Sequence, residues 1–496
     1  MVTHDAVGYK KEPKAKGEDA VSAPSAPPRA ERMNARAWGL LLVLSGAIFL
    51  EGIDVSMMGV ALPSIRAELG MSTSSLQWVV SAYVLGYGGF VLLGGRAADL
   101  LGRRRMFIGW LVVFVAFSGL GGLAEEGWVL IVARFVTGVA AAFLAPAGLS
   151  IITTMFAEGP VRNRAVLVYA GAAAGGFSLG MVTGGLLTAL HWRWVFFAPV
   201  VLAAVLLVAA IVLIPREERR ERGTGGFDVP GTLTLTGAML VLVITVVHAP
   251  EVAIGTTLAT LAGAAVLLAA FVRIERRSAT PLVRLGILRS GPLLRANGGA
   301  VLLLASFMAF QFIAVLYLQE LRGWSTVETG LALAVLGIDA VLAPTLTPVL
   351  VNRFGTPRVV VAGMVFAALG YLLFLPLGPD WGFLAMLPAF LSLGLAFTLA
   401  YGTLTIAATD GVADEEQGLA SGILTTSFQF GAALGLAVAA AVVVAATAGD
   451  SPQAVLEGYR AGLVVPLAAA VLGTALTATG LTGTRRRRTP EPVPRP

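Results

Sequence analysis

The chain has no cysteine, and its only lysines, Lys10, Lys11, Lys14 and Lys16, lie near its start. The first absence excludes disulfides, cysteine-based zinc sites and thiol chemistry. The second excludes nucleotide binding by a P-loop, whose G-x-x-x-x-G-K-[ST] needs a lysine against the phosphates. Histidine occurs only as His4, His191 and His248, without H-E-x-x-H or any other metal spacing. No metal and no cofactor is therefore expected, and nothing resembles the reaction centre of an enzyme. Charge is scarce as well: 13% of residues are charged against 57% hydrophobic. A soluble protein of that composition could not solvate its own surface.

Fourteen long apolar runs fill the chain instead, near 38–61, 76–99, 106–123, 128–152, 165–188, 195–214, 231–248, 254–273, 295–318, 328–351, 358–376, 382–405, 419–446 and 461–482. Each has the ~20 residues with which an α-helix crosses a bilayer while bonding its own backbone. The pattern predicts an all-α polytopic membrane protein.

The net charge of +6 is no nucleic-acid signal, because the basic residues sit in alternate loops. Of 35 Lys and Arg, four (Arg66, Arg193, Arg322, Arg460) fall in one set of loops, Arg134 lies within a span, and the other 30 fall on the opposite side. The positive-inside rule then predicts cytoplasmic termini, as an even span count requires. Residues 1–36 read as a disordered cytoplasmic tail, with no apolar core or cleavage site to make a signal peptide. Residues 483–496, with Arg485 to Arg488, read as a basic tail held at anionic headgroups.

One internal echo organises the middle. Gly95, Asp99, Gly102 and Arg105 end the second span, and Pro348, Asn352, Gly355 and Arg358 end the tenth at identical spacing. An offset of eight spans, not six, places two extra helices between two six-helix halves. The expected organisation is a first bundle at 37–214, a linker with the two extra helices at 215–285 and a second bundle at 286–482. Parallel repeats around a midplane cavity are a transporter plan.

The loop GRAADLLGRRR from Gly95 to Arg105 resembles the signature of the major facilitator superfamily. Further segments resemble its fourteen-span drug:proton antiporter branch. Ile53-Asp54-Val55-Ser56 through Ala61-Leu62-Pro63 is similar to that branch's L-D-x-T-I-V-N-V-A-L-P, and Gln77 to Tyr83 to the start of its second span. Trp192 to Phe196 and Tyr317 to Gln319 match further marks. The resemblance implies the major facilitator fold and drug export driven by protons.

Charges within a bilayer cost at least ~2.5–3.5 kcal/mol near its centre, so each is a functional candidate. They are Glu51, Asp54, Arg134 and Asp339. Helix rise puts Asp54 and Arg134 at about the same depth, roughly 9–10 Å below the outer surface, where they can pair. The alternative is that Arg134 snorkels to the outer headgroups. Glu51 and Asp339 fall near the midplane, from opposite halves, at the level of substrate binding. Glu51 and Asp54 share one helix face, and two carboxylates so close do not both ionise cheaply. At least one can therefore carry a proton. In the family an Arg opening R-x-x-x-G is implicated in proton coupling; here that is Arg134 with Gly138, and Thr137 replaces the usual Gln.

In the loop signature, Gly95 is expected to permit close helix approach, while Asp99 bonds a neighbouring helix N-terminus and pairs with Arg103 or Arg104 as a gate latch. Gly102 completes the motif. In the fifth span Gly176, Gly180, Gly184 and Gly185 resemble the antiporter motif g-x-x-x-G-P-x-x-G-G, with Met181 at the proline position. The stripe reads equally as small-residue packing. Candidate substrate contacts are Met57 and Met58, Tyr83, Tyr87 and Phe90, and Phe307, Met308, Phe310, Gln311 and Phe312, adaptable surfaces for varied apolar ligands.

Together these residues predict a proton-coupled exporter of amphiphilic, cationic or weakly basic compounds in a bacterial inner membrane. Three buried acids against one buried Arg favour positive charge. A secondary transporter of one metabolite, such as an organic acid or siderophore, uses the same frame, and a membrane receptor or scaffold would not need the acids. The partners expected are a small-molecule substrate, protons and lipid, with no nucleic acid and no nucleotide. Oligomeric state is left open, a monomer being plausible.

Overall fold

Lipid offers the peptide group no hydrogen bond, so each apolar run closes its backbone ladder as a helix. The computed structural model describes residues 33–156, 160–216, 228–250, 252–278, 281–410, 412, 416–449 and 451–483. Among them are 14 helices long and apolar enough to span a membrane. Nearly all of both expected tails lies outside the described residues.

The spans are α1 (Ala35–Leu69), α2 (Trp78–Leu101), α3 (Arg103–Gly122), α4 (Gly127–Met155), α5 (Pro160–Leu190), α6 (Trp194–Leu213), α7 (Val229–His248), α8 (Ile254–Arg277), α9 (Gly291–Leu316), α10 (Thr326–Phe354), α11 (Thr356–Phe374), α12 (Phe383–Thr409), α13 (Gln417–Ala446) and α14 (Pro452–Gly483). Two depart from α geometry: α9 runs into a π turn at Tyr317–Leu321, and α10 passes through a 3-10 turn at Ala334–Ile338.

Packing repeats at an offset of eight. The pairs α1–α5, α2–α4, α3–α4 and α1–α6 recur as α9–α13, α10–α12, α11–α12 and α9–α14. The two bundles meet along α2–α13 and α5–α10, which the same offset exchanges. Gly102 and Gly355 occupy equivalent corners, with φ of 95° and 82°, a region that only glycine enters without strain. Each breaks one helix and starts the next.

The extra pair is peripheral. α7 packs against both α2 and α13, and α8 packs on α7. Apolar residues such as Leu258 and Val266 point outward from α8. The expected runs of this pair carry no charge in their interior, yet its ends bury two carboxylates. Asp228 caps α7 by accepting from the Gly231 N–H (2.8 Å), and Glu275 accepts from the Val283 N–H (3.0 Å), pinning the segment after α8.

One end of the molecule is closed. Arg66 of α1 pairs with Glu320 (3.0 Å), the Gln319 amide donates to the Val60 carbonyl (2.9 Å), and the Thr326 hydroxyl donates to that of Gly185 (3.0 Å). Deeper, the Ser178 hydroxyl donates to the Gly337 carbonyl (3.2 Å). Beyond that contact the seam opens. Gly171 and Leu167 continue the Ser178 face of α5 and are exposed, and Val341, Pro344 and Pro348 continue the Gly337 face of α10 and are exposed too. The α5–α10 seam thus splays toward the end where α1 begins.

Candidate transport site

Gly138 has no side chain to hold α4 off α2: a Cβ there would stand 2.8 Å from the Tyr83 carbonyl carbon. That close approach sets Arg134, one turn away, against α2. Its Nε donates to the Val79 carbonyl (3.1 Å), and its guanidinium lies 4.4 Å from the centre of the Tyr83 ring. Its Nη1 reaches Asp54 Oδ2 of α1 at 2.5 Å. Arg134 is 1% exposed and Asp54 0%, so the arginine does not snorkel to headgroups. Thr137, at the position of the family's Gln, is spent on its own helix, donating to the Arg134 carbonyl (2.9 Å).

The second oxygen of Asp54, Oδ1, and the Tyr83 hydroxyl are buried without a hydrogen-bond partner among the described residues. A buried pair of this kind is tightly constrained. Removing the charge of Asp54 would leave Arg134 buried and unpaired, which costs about 3–5 kcal/mol unless the arginine moves. Proton uptake at Asp54 therefore demands a rearrangement around Arg134.

One turn toward the midplane, Glu51 is half-buried, with the Tyr87 hydroxyl near its carboxylate. It also borders a small cavity inside the first bundle, lined by Ala141, Ala145, Phe114 and Tyr169, with about 10 Å³ of free space, room for roughly one water. Glu51 was expected at the midplane cavity. Its side chain is partly turned into the first bundle by Tyr87.

Asp339 sits where the 3-10 turn of α10 gives way to the final helical segment, Asp339–Phe354, and it is half-buried. Charge from both Glu51 and Asp339 reaches Tyr401 of α12, so the two acids approach one region from opposite bundles.

Other expected contacts are covered. Met58, Phe307 and Gln311 are 0%, 3% and 5% exposed, because α1 and α9 run together toward the closed end, with Gln311 against Gly59. Tyr87 is likewise buried at 9%.

The glycine stripe packs helices. Gly176, Gly180 and Gly184 face the backbone of α1 at Phe49, Ile53 and Met57, while Gly185 faces Thr326 of the other bundle. In the loop motif, the close approach falls on the neighbour of the expected glycine. A Cβ on Gly95 would only touch Pro146 at 3.9 Å, whereas one on Gly94 would meet Phe143 Cα at 3.0 Å. Arg104 is engaged inside the first bundle, donating to the carbonyls of Ile214 (2.8 Å) and Ile211 (2.9 Å) at the end of α6. The side chain of Asp99 lies outside the described residues.

Three features escaped sequence reasoning: the closed-end pair of Arg66 with Glu320, the turn that precedes Asp339, and the aromatic face of α12. The first two depend on long-range contacts or a local change of helix type. The third had a signal, since Phe397, Tyr401 and Thr405 recur every four residues on one helix face.

Residues 44–436 match the family model described as Major Facilitator Superfamily. The puromycin resistance protein pur8 of Streptomyces alboniger is 36% identical over 463 residues, covering 89% of this chain and 90% of that protein. The cephamycin export protein CmcT of Amycolatopsis lactamdurans is 35% identical over 428 residues, 84% of this chain and 87% of that one. The solved nucleoside transporter NupG superposes with a TM-score of 0.66 at 13% identity, over 90% of this chain and 99% of its own, a likeness of fold.

Proposed function

The chain belongs to the Major Facilitator Superfamily, and on that premise we propose that it exports amphiphilic, cationic or weakly basic antibiotics or drugs in exchange for protons. The observation that carries proton coupling is the buried pair of Asp54 and Arg134, with one carboxylate oxygen left free. Relatives whose names record antibiotic resistance and export support the substrate class.

In this reading the arginine-rich end, where α1 begins, is cytoplasmic, the membrane is a bacterial inner membrane, and the conformation described is open inward. The bundles are residues 37–214 and 286–482, with 215–285 carrying the extra helices. Substrate enters from the cytoplasm and sets its positive charge near Asp339 and Glu51. A proton arriving from outside neutralises Asp54, Arg134 finds a new partner, and the bundles rock about the midplane. Release of that proton inward resets the pair. Asp99, Arg103 and Arg104 would latch the cytoplasmic side in the outward-open state.

Purified protein in liposomes, given an acidic exterior relative to the transport direction, tests this. A pH gradient alone should drive accumulation of a cationic drug against its concentration gradient. Drug movement that ignores the pH gradient would overturn the coupling. Orientation is tested separately by single cysteines in this cysteine-free chain: one at Ser451 should be labelled from outside, and one at Thr489 should not.

A further inference from the structure

Five aromatic rings form a continuous ladder across the bundle interface. Phe177 of α5 meets Phe307 of α9 at 6.0 Å between centroids, and Phe307 meets Phe397 of α12 at 4.3 Å. Phe397 then lies nearly parallel to Tyr401 (6.0 Å, 15°), and Tyr401 stacks on Phe428 of α13 (4.6 Å, 21°). The ladder changes character along its length. Toward the closed end Phe307 is covered at 3% exposure, whereas Tyr401 is 46% exposed.

Packing alone explains covered rings but not that exposed one. The exposed part of Tyr401 looks toward the seam between the bundles, for two reasons. It continues the stripe of Phe397, whose ring touches the interface ring Phe307. Glu51 of the opposite bundle and Asp339 also lie within electrostatic range of it, as acids around a shared region do.

We infer that Phe397, Tyr401 and Phe428 form a stacking platform that selects substrates with a flat aromatic ring system and holds their positive charge toward Asp339 and Glu51. This rests on the export reading for the sign of the substrate's charge. Parallel rings offer a planar ligand both dispersion contact and the offset stacking that aromatic quadrupoles favour. The cation adds attraction to the ring faces and to the two acids. An aliphatic cation of equal charge gains the second contribution but only a poor version of the first. The covered rung Phe307 and the half-buried Phe177 continue the platform toward the closed end and offer the same surface once the bundles rock.

The test is direct binding to the purified full-length protein in detergent at one pH, so that no gradient is involved. The probes are ethidium, a flat aromatic cation, and tetrapentylammonium, an aliphatic one. Wild-type protein should bind ethidium more tightly. Phe397→Leu with Tyr401→Leu, which keeps apolar volume but removes the rings, should weaken ethidium about tenfold and tetrapentylammonium less than about twofold. Tyr401→Phe should keep both affinities. Should the double variant misfold, Tyr401→Leu alone, at a half-exposed position, carries the test with a smaller loss of the same selectivity. Equal weakening of both probes, or none, overturns the platform. Ring-dependent binding without pH-driven transport would defeat the export reading and leave the platform standing. Transport driven by pH with no preference for flat cations would do the reverse.

Discussion

Arg66 on α1 and Glu320 in the π turn after α9 tie the two bundles together at the closed end, with a 3.0 Å ion pair that Tyr459 of α14 also joins (3.3 Å to Glu320). The pair can exist only while that end is shut, so it biases the conformational equilibrium. Its side chains are 34% and 27% exposed, and pairs this accessible to water contribute about 0–1 kcal/mol. Arg66→Ala should therefore shift the balance toward the opposite state by no more than about fivefold, without loss of folded protein. Cysteines placed in the closed end of the cavity, at Met58 for instance, would report it as faster labelling from that side. Unchanged labelling would mean that the pair is ornamental.

The Asp54–Arg134 pair makes a different demand. Asp54→Asn keeps the shape and an acceptor for Arg134 but cannot bind and release a proton. Uphill transport driven by pH should vanish, while exchange of substrate down its gradient persists. Arg134→Ala strands a buried carboxylate, a change of about 3–5 kcal/mol where no rearrangement relieves it. Asp54→Asn strands the Arg134 charge in the same way, so thermal unfolding in detergent should place both variants below wild type. Preserved accumulation in Asp54→Asn would move the proton to Glu51.

The glycine stripe allows a paired comparison on one helix. A Cβ on Gly176 would stand 3.1 Å from the carbonyl carbon and the Cα of Phe49 on α1 and closer still to its oxygen, whereas Gly171 has nothing within 4 Å. Gly176→Val should cost about 1–3 kcal/mol by forcing α5 off α1. Gly171→Val should be neutral. Equal melting temperatures for the two would show that α1 and α5 can separate freely.

The spans, the offset of eight and the buried acids were legible because they are written locally, in hydropathy, in a repeated corner and in charges that lipid does not tolerate. Gly102 and Gly355, matched by spacing alone, share the left-handed backbone that breaks their helices. Depth along a helix also sufficed to bring Asp54 to Arg134. What depth does not give is azimuth. Phe307 and Gln311 lie at the right level yet are covered, because the direction each faces depends on how α1 and α9 pack. The choice between Gly94 and Gly95 is the same problem at one residue's resolution. Tyr401 was missed because its importance comes from what surrounds it in space.

Asp339 carries the sharpest prediction about substrate. It stands in the first turn of the last helical segment of α10, Asp339–Phe354, whose start carries no side-chain capping bond. A purely structural role would be a negative charge in that first turn, worth about 0.3–1 kcal/mol. Asp339→Asn removes the charge while keeping the shape of the side chain, at a small cost to the helix. If the acid recognises positive charge, the variant should melt close to wild type and lose about tenfold in affinity for a flat cation. A flat neutral compound of similar size should lose less than about twofold, since it gains only the aromatic contacts. pH-driven transport of that neutral compound, where wild type supports any, should survive, because Asp54 and Arg134 are untouched. Measuring both probes on one preparation separates the two roles. Parallel losses, or a fall in melting temperature without any change in selectivity, would assign Asp339 to the fold of α10 and not to the substrate.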